Sequence, residues 1–181
     1  QTYKERDLGR LAYHFHLPDT RSLLRVWNPD QQVSDDLSGF RETVLQINKP
    51  PHNPILGIEI GRGGFAIRGI APVQASDGSH TGSVEYLGDF TAVYEALTSE
   101  EGQEAALFMD QSFLNIATSL QDPLKNPPVG TSHILVNASN PEFFINHMDP
   151  SLLMKLEGNR IVDTDAFLLG MSSIRDYSGL P

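Results

Sequence analysis

The chain has 181 residues, a formal net charge of −10 and a hydrophobic content of 39%. That acidity excludes nucleic acid and anionic lipid as partners, because both need a basic face. With no cysteine, disulfides, thiolate zinc sites and cysteine nucleophiles are excluded as well.

The apolar content suffices for a packed core in one large domain or two small ones, and no segment is long and apolar enough to span a bilayer. A chain that opens on Gln1 rather than Met is expected to be cut from something longer, and Tyr3-Lys4-Glu5-Arg6-Asp7 is too polar for a signal peptide. Tyr3, Leu8, Leu11, Ala12 and Phe15 form an apolar stripe that predicts a helix over Thr2 to His16, limited by Pro18. His14 and His16 are expected to cap its end. An i, i+2 pair shares a face on a strand, but on a helix it is splayed by about 200°. With no Cys or neighbouring carboxylate to complete a site, no metal is expected there.

Ser22 to Asn28 reads as a strand, closed by the turn Asn28-Pro29-Asp30. Ser34 or Asp35 is expected to cap a short helix through Phe40, Val44 and Leu45. After Pro50, Pro51 and Pro54 comes the most informative stretch, Gly57 to Val73. Ile58 and Ile60 share one face of a first strand, with Glu59 opposite; Phe65 and Ile67 share one face of a second, with Ala66 and Arg68 opposite. Gly61, Gly63 and Gly64 form the corner between them. Its polar face would carry Glu59, Arg62 and Arg68.

Asp77-Gly78 is a turn, Thr81 to Tyr86 a strand, Phe90 to Leu97 a helix and Ala105 to Met109 a strand. Pro123, Pro127 and Pro128 make a loop of Asp122 to Gly130. Ile134 to Val136 is extended, and Asn140-Pro141 and Asp149-Pro150 each open a helix. Arg160 to Asp163 and Ala166 to Ile174 read as strands before the turn at Asp176-Tyr177-Ser178-Gly179. The closing Gly170 to Gly179 loosely echoes Gly69 to Gly78, hinting at two related modules. The short connections favour an antiparallel sheet with helices on one side, hence an α+β fold.

The ordered motifs His14-Phe15-His16-Leu17-Pro18, Arg21 to Trp27, Asp35 to Arg41, the Gly57 to Gly64 corner and Ile174 to Gly179 resemble the double Cache (PAS-like) extracytoplasmic sensor domains of bacterial chemoreceptors and sensor kinases. The resemblance covers residues 11 to 90 and the C-terminus best. It implies a long N-terminal helix (residues 1–20), a PAS-like antiparallel ligand-binding module (21–100) and a smaller or incomplete second module (101–181). It further implies the periplasmic sensing part of a membrane-anchored methyl-accepting chemotaxis protein or, alternatively, of a histidine kinase. Such domains are often homodimers along the N-terminal helix and bind small ligands such as carboxylates, amino acids or amines.

Arg25, Arg41, Arg62 and Arg68 are the candidates for an anion site, because a guanidinium holds a carboxylate by two parallel hydrogen bonds. Each could equally pair with Glu59, Asp35 or Asp36 to fix the fold. Trp27 shares a strand face with Arg25, and Tyr86 is a further lining candidate. The expected ligand-binding set is therefore Arg25, Trp27, Arg41, Glu59, Arg62, Arg68 and Tyr86, between the first sheet and a helix of residues 35 to 46. No catalytic residue, cofactor or metal is expected. The glycine corner lacks the spacing and following helix of a phosphate loop, and no Gly-x-Ser-x-Gly elbow occurs. The rival readings are an enzyme using Glu59 as base and Arg62 as clamp, and a purely structural dimerisation domain.

Overall fold

The computed structural model describes residues 12–29 and 34–180, and these fall into two compact units. The first holds the described residues up to Gly61 together with Phe65–Phe90 and Arg175–Leu180; the second holds Arg62–Gly64 and Thr91–Ile174. Both are built from antiparallel strands with short helices, so the α+β class stands.

The first unit is a five-stranded sheet of β1 (Ala12–His16), β2 (Ser22–Arg25), β3 (Ile55–Gly61), β4 (Gly64–Gln74) and β5 (His80–Gly88), in the order β2-β1-β5-β4-β3. Residues 12–16 are a strand and not the end of a helix. Tyr13 and Phe15 alternate with His14 and His16 at a period of two, and pairing to β2 and β5 on either side favours that period over the helical stripe. Residues 2–11 of the expected helix lie outside the described residues. The β3–β4 corner forms as the sequence predicts, with Arg62 and Gly63 as the connection and Gly64 at φ +97°, a value costly for any side chain-bearing residue.

Register fixes which side chains share a face. His14 lies opposite Glu85 and His16 opposite Ser83 across β1–β5, while Ile70 lies opposite Glu85 across β4–β5. Helix α1 (Glu42–Ile47) covers this face, with Val44 and Ile47 packed on Ile70 and Ile55. The helix is shorter than expected and begins later: Asp35 does not cap it but pairs with Arg25. At Gly82 (φ +139°) a Cβ would stand 2.1 Å from the His16 carbonyl oxygen, so only glycine lets β5 approach β1 this closely. The predicted C-terminal turn also belongs to this unit, where the Tyr177 N–H donates to the Ile58 carbonyl at 2.9 Å and the Asp176 carboxylate accepts from Ser178 and Leu180.

The second unit contains α2 (Thr91–Leu97), the three-stranded sheet β6 (Ala106–Asp110), β8 (His133–Ala138) and β7 (Pro128–Val129), helices α3 (Pro141–His147) and α4 (Pro150–Asn159), and the ribbon β9 (Ile161–Asp163) with β10 (Leu168–Gly170). Asn140 and Asp149 cap α3 and α4 by accepting the Phe143 and Leu152 N–H groups, as their cap-and-proline signatures predict. Ala166 to Ile174 contributes only three residues of strand, Leu168–Gly170. The core is hydrocarbon: Val129, Leu135, Phe144, Met148, Leu152, Leu153 and Leu156. Among the described residues no helix is long and apolar enough to cross a membrane.

Candidate functional site

Alternation alone says that Glu59 and Arg68 face away from Ile58 and Ile67; it does not say that their face is the inside. In the first unit it is. The face covered by α1 carries His14, His16, Ser83, Glu85 and Arg68, all buried, and Glu85 is completely so at 0% exposure. Such burial of charge persists only when each group is paired.

Arg41, immediately before α1, is the hub. Its Nε donates to Glu59 Oε2 at 2.8 Å and its Nη2 donates to Glu85 Oε1. Arg68 Nη1 donates to the same Glu85 oxygen at 3.0 Å, and Arg68 Nε donates to the Glu59 backbone carbonyl at 3.1 Å. The other side of Glu59 is held by α1: Thr43 N–H donates to Oε1 at 2.9 Å and Thr43 Oγ to Oε2 at 2.6 Å. Two guanidinium groups and two carboxylates thus neutralise one another while tying β3, β4 and β5 to the first turn of α1.

Beside this quartet stand the two histidines. His14 Nε2 is hydrogen-bonded to Ser22 Oγ at 2.8 Å, and His16 Nδ1 to Ser83 Oγ at 3.1 Å. Their inner nitrogens, His14 Nδ1 and His16 Nε2, each lie 3.7 Å from Glu85 Oε2, beyond hydrogen-bond length. His16 Nε2 and Glu85 Oε2 are therefore buried without a partner.

The electrostatics follow from the packing. Burial pushes His14 down from its ordinary value, with Glu85 opposing the shift. Burial, reinforced by His14, pushes His16 down to about 3. Burial would raise Glu85, but Arg41, the His14 contact and Arg68 outweigh it and hold the carboxyl far below the usual carboxylate range. Burial would lower Arg41, yet Glu85 and Glu59 raise it. At neutral pH the site holds two neutral imidazoles and ionised Glu85.

Of the residues singled out from the sequence, Arg41, Glu59 and Arg68 come together here. Arg25 holds Asp35 through both carboxylate oxygens at 3.0 and 2.9 Å. Trp27 is 46% exposed and meets the His14 ring edge-on at a centroid distance of 5.8 Å. Tyr86 lies on the opposite face of β5 from Glu85, tilted against Tyr13. Arg62 is exposed on the hairpin corner and groups with the second unit. The histidines do not cap a helix, and the carboxylate that the sequence did not place beside them is Glu85. Sequence reasoning considered His14 and His16 only as helix caps and a metal pair, and missed Thr43, Ser22, Ser83 and Glu85. The signal was present in the alternation Tyr13-His14-Phe15-His16 and Ser83-Val84-Glu85-Tyr86, which on strands gathers His14, His16, Ser83 and Glu85 on one face.

Residues 7–134 match the dCache_3 family, described as the double sensory domain of two-component sensor kinases. This is more than half of the chain, and the chain belongs to that family. No curated protein and no solved structure matches it.

Proposed function

We propose that this chain is the extracytoplasmic input domain of a membrane-anchored sensor kinase, and that its first unit receives a small polar ligand on the inner face of the five-stranded sheet. The observation that carries the reading is the pair of unpartnered buried atoms, His16 Nε2 and Glu85 Oε2, beside paired arginines and glutamates. Leaving such a group unpaired costs about 1–3 kcal/mol, which a ligand that reaches both would recover.

The arginines offer less. A carboxylate ligand at Arg41 or Arg68 would have to displace Glu59 or Glu85, whereas the open valences belong to an imidazole and a carboxylate oxygen. Glu59, with both oxygens engaged, is likewise poorly placed as a catalytic base. A ligand that touched Glu85 would alter the field on Arg41 and so on the start of α1. It would shift the domain between states only by its difference in affinity for them. The family's description as sensor-kinase domains favours kinase output over a chemotaxis transducer.

Thermal unfolding of the purified chain against organic acids, amines, amino acids and metal ions tests this. At least one compound should raise Tm in the wild type and lose its effect in His16→Gln. If none moves Tm, the first unit is not a ligand-binding site.

A further inference from the structure

The atoms that converge on the open point of the network have a particular chemistry. His14 Nδ1, His16 Nε2 and Glu85 Oε2 all lie within 4.8 Å of one another. Two of the three separations are 3.7 Å. Ligand atoms around a tetrahedral zinc at about 2.1 Å stand about 3.4 Å apart, so each histidine nitrogen is within a few tenths of an ångström of that spacing from Glu85 Oε2, and the two histidine nitrogens, within 4.8 Å of one another, close on the ion by turning their rings.

The surroundings fit as well. A metal-bound imidazole usually donates its remote N–H to an oxygen that fixes ring and tautomer. Ser22 Oγ stands at His14 Nε2 and Ser83 Oγ at His16 Nδ1 in those positions. Arg41 and Arg68 hold Glu85 by Oε1 and leave Oε2 turned toward the histidines.

From this geometry we infer that His14, His16 and Glu85 form a three-ligand site for a transition-metal dication of the zinc class, with one coordination position left for water or an exogenous ligand. Imidazole nitrogen selects zinc, copper or nickel over magnesium and calcium, which prefer all-oxygen sets. The two neighbouring guanidinium groups repel a dication and weaken the site, while Glu59 and Glu85 offset part of that repulsion. The inference rests on the reading of the first unit as the ligand-receiving one, and it names the ligand class.

The test is calorimetric titration of the chelator-treated, tag-free chain with Zn2+ and, separately, Mg2+, with Trp27 fluorescence recorded in parallel. The expected result is one zinc per chain, no binding of Mg2+ at the same concentrations and a fluorescence change, since Trp27 packs against His14. His16→Gln should weaken zinc binding at least tenfold, and Ser83→Ala about tenfold, in the range seen for outer-shell partners. Equal affinity in a folded His16→Gln variant would move the zinc elsewhere, for example to the stacked His52 and His80 rings, and would overturn the inference. Should His16→Gln fail to fold, imidazole NMR of the wild type decides: zinc must shift His14 and His16, and shifts confined to other histidines overturn it. If an organic compound raises Tm and zinc does not bind, the metal inference falls and the sensory reading stands. If neither binds, both fall.

Discussion

The two units fill their interiors with opposite chemistry. In the second, α3 and α4 bury leucines, methionine and phenylalanine against a small sheet, so its packing follows the ordinary transfer of hydrocarbon from water. In the first, the apolar cluster of Val44, Ile47 and Ile70 is small, and beside it Arg68, two glutamates and two histidines of the covered sheet face meet Arg41 from the start of α1. A hydrocarbon core is indifferent to pH and to small polar solutes. A neutralised charge network answers to anything that adds or removes a charge, which is the property an input unit needs.

The largest effect should come from breaking that network. Arg41→Ala leaves Glu59 and Glu85 each short of a buried counter-charge and should cost about 3–5 kcal/mol, read by urea unfolding at the single Trp27. A loss under 1 kcal/mol would mean that the charges do not hold the first unit together. In the second unit Leu156→Ala, at 2% exposure, should cost about 2–5 kcal/mol by cavity formation, followed by circular dichroism. Asn140→Ala removes the α3 cap and should cost about 1 kcal/mol in the same assay. Lys125→Ala breaks an exposed 3.7 Å pair with Asp122 and should stay within about 0.5 kcal/mol; a larger change would show that surface charge matters in the second unit too.

The sequence made the second unit's helix starts and the β3–β4 corner legible, because caps, prolines and glycines act locally on the backbone. It also identified Arg41, Glu59 and Arg68 as the charges to follow. What it hid was the pairing. Period two sorts Glu59 from Ile58 but does not say with which charges Glu59, Arg41 and Arg68 pair, nor that Glu85 completes their network. The N-terminal stripe misled for a related reason: Leu11, Ala12 and Phe15 satisfy a helical spacing while Tyr13 to His16 satisfies a strand, and long-range pairing to β5 decides. Glu85, far from His14 in sequence, could be joined to it only by that register.

The difference between the units is sharpest in acid. His14 and His16 have ordinary values of 6.5 and are lowered in the folded chain, so below pH 6.5 the unfolded chain binds more protons than the folded one. First-unit stability is therefore complete above pH 6.5 and falls as pH drops; His16 contributes up to about 1.4 kcal/mol per pH unit down to its folded value of about 3, and His14 adds a loss of the same sign. Glu85, also lowered, adds a loss of the same sign below its ordinary 4.5. Amide hydrogen exchange of the metal-free chain at pH 7.5 and pH 5, corrected for intrinsic rates, reads this element by element. Peptides of β1, β5 and α1 should lose protection at pH 5 while those of α3 and α4 keep it. Equal behaviour of the two sets would contradict a polar, responsive interior in the first unit.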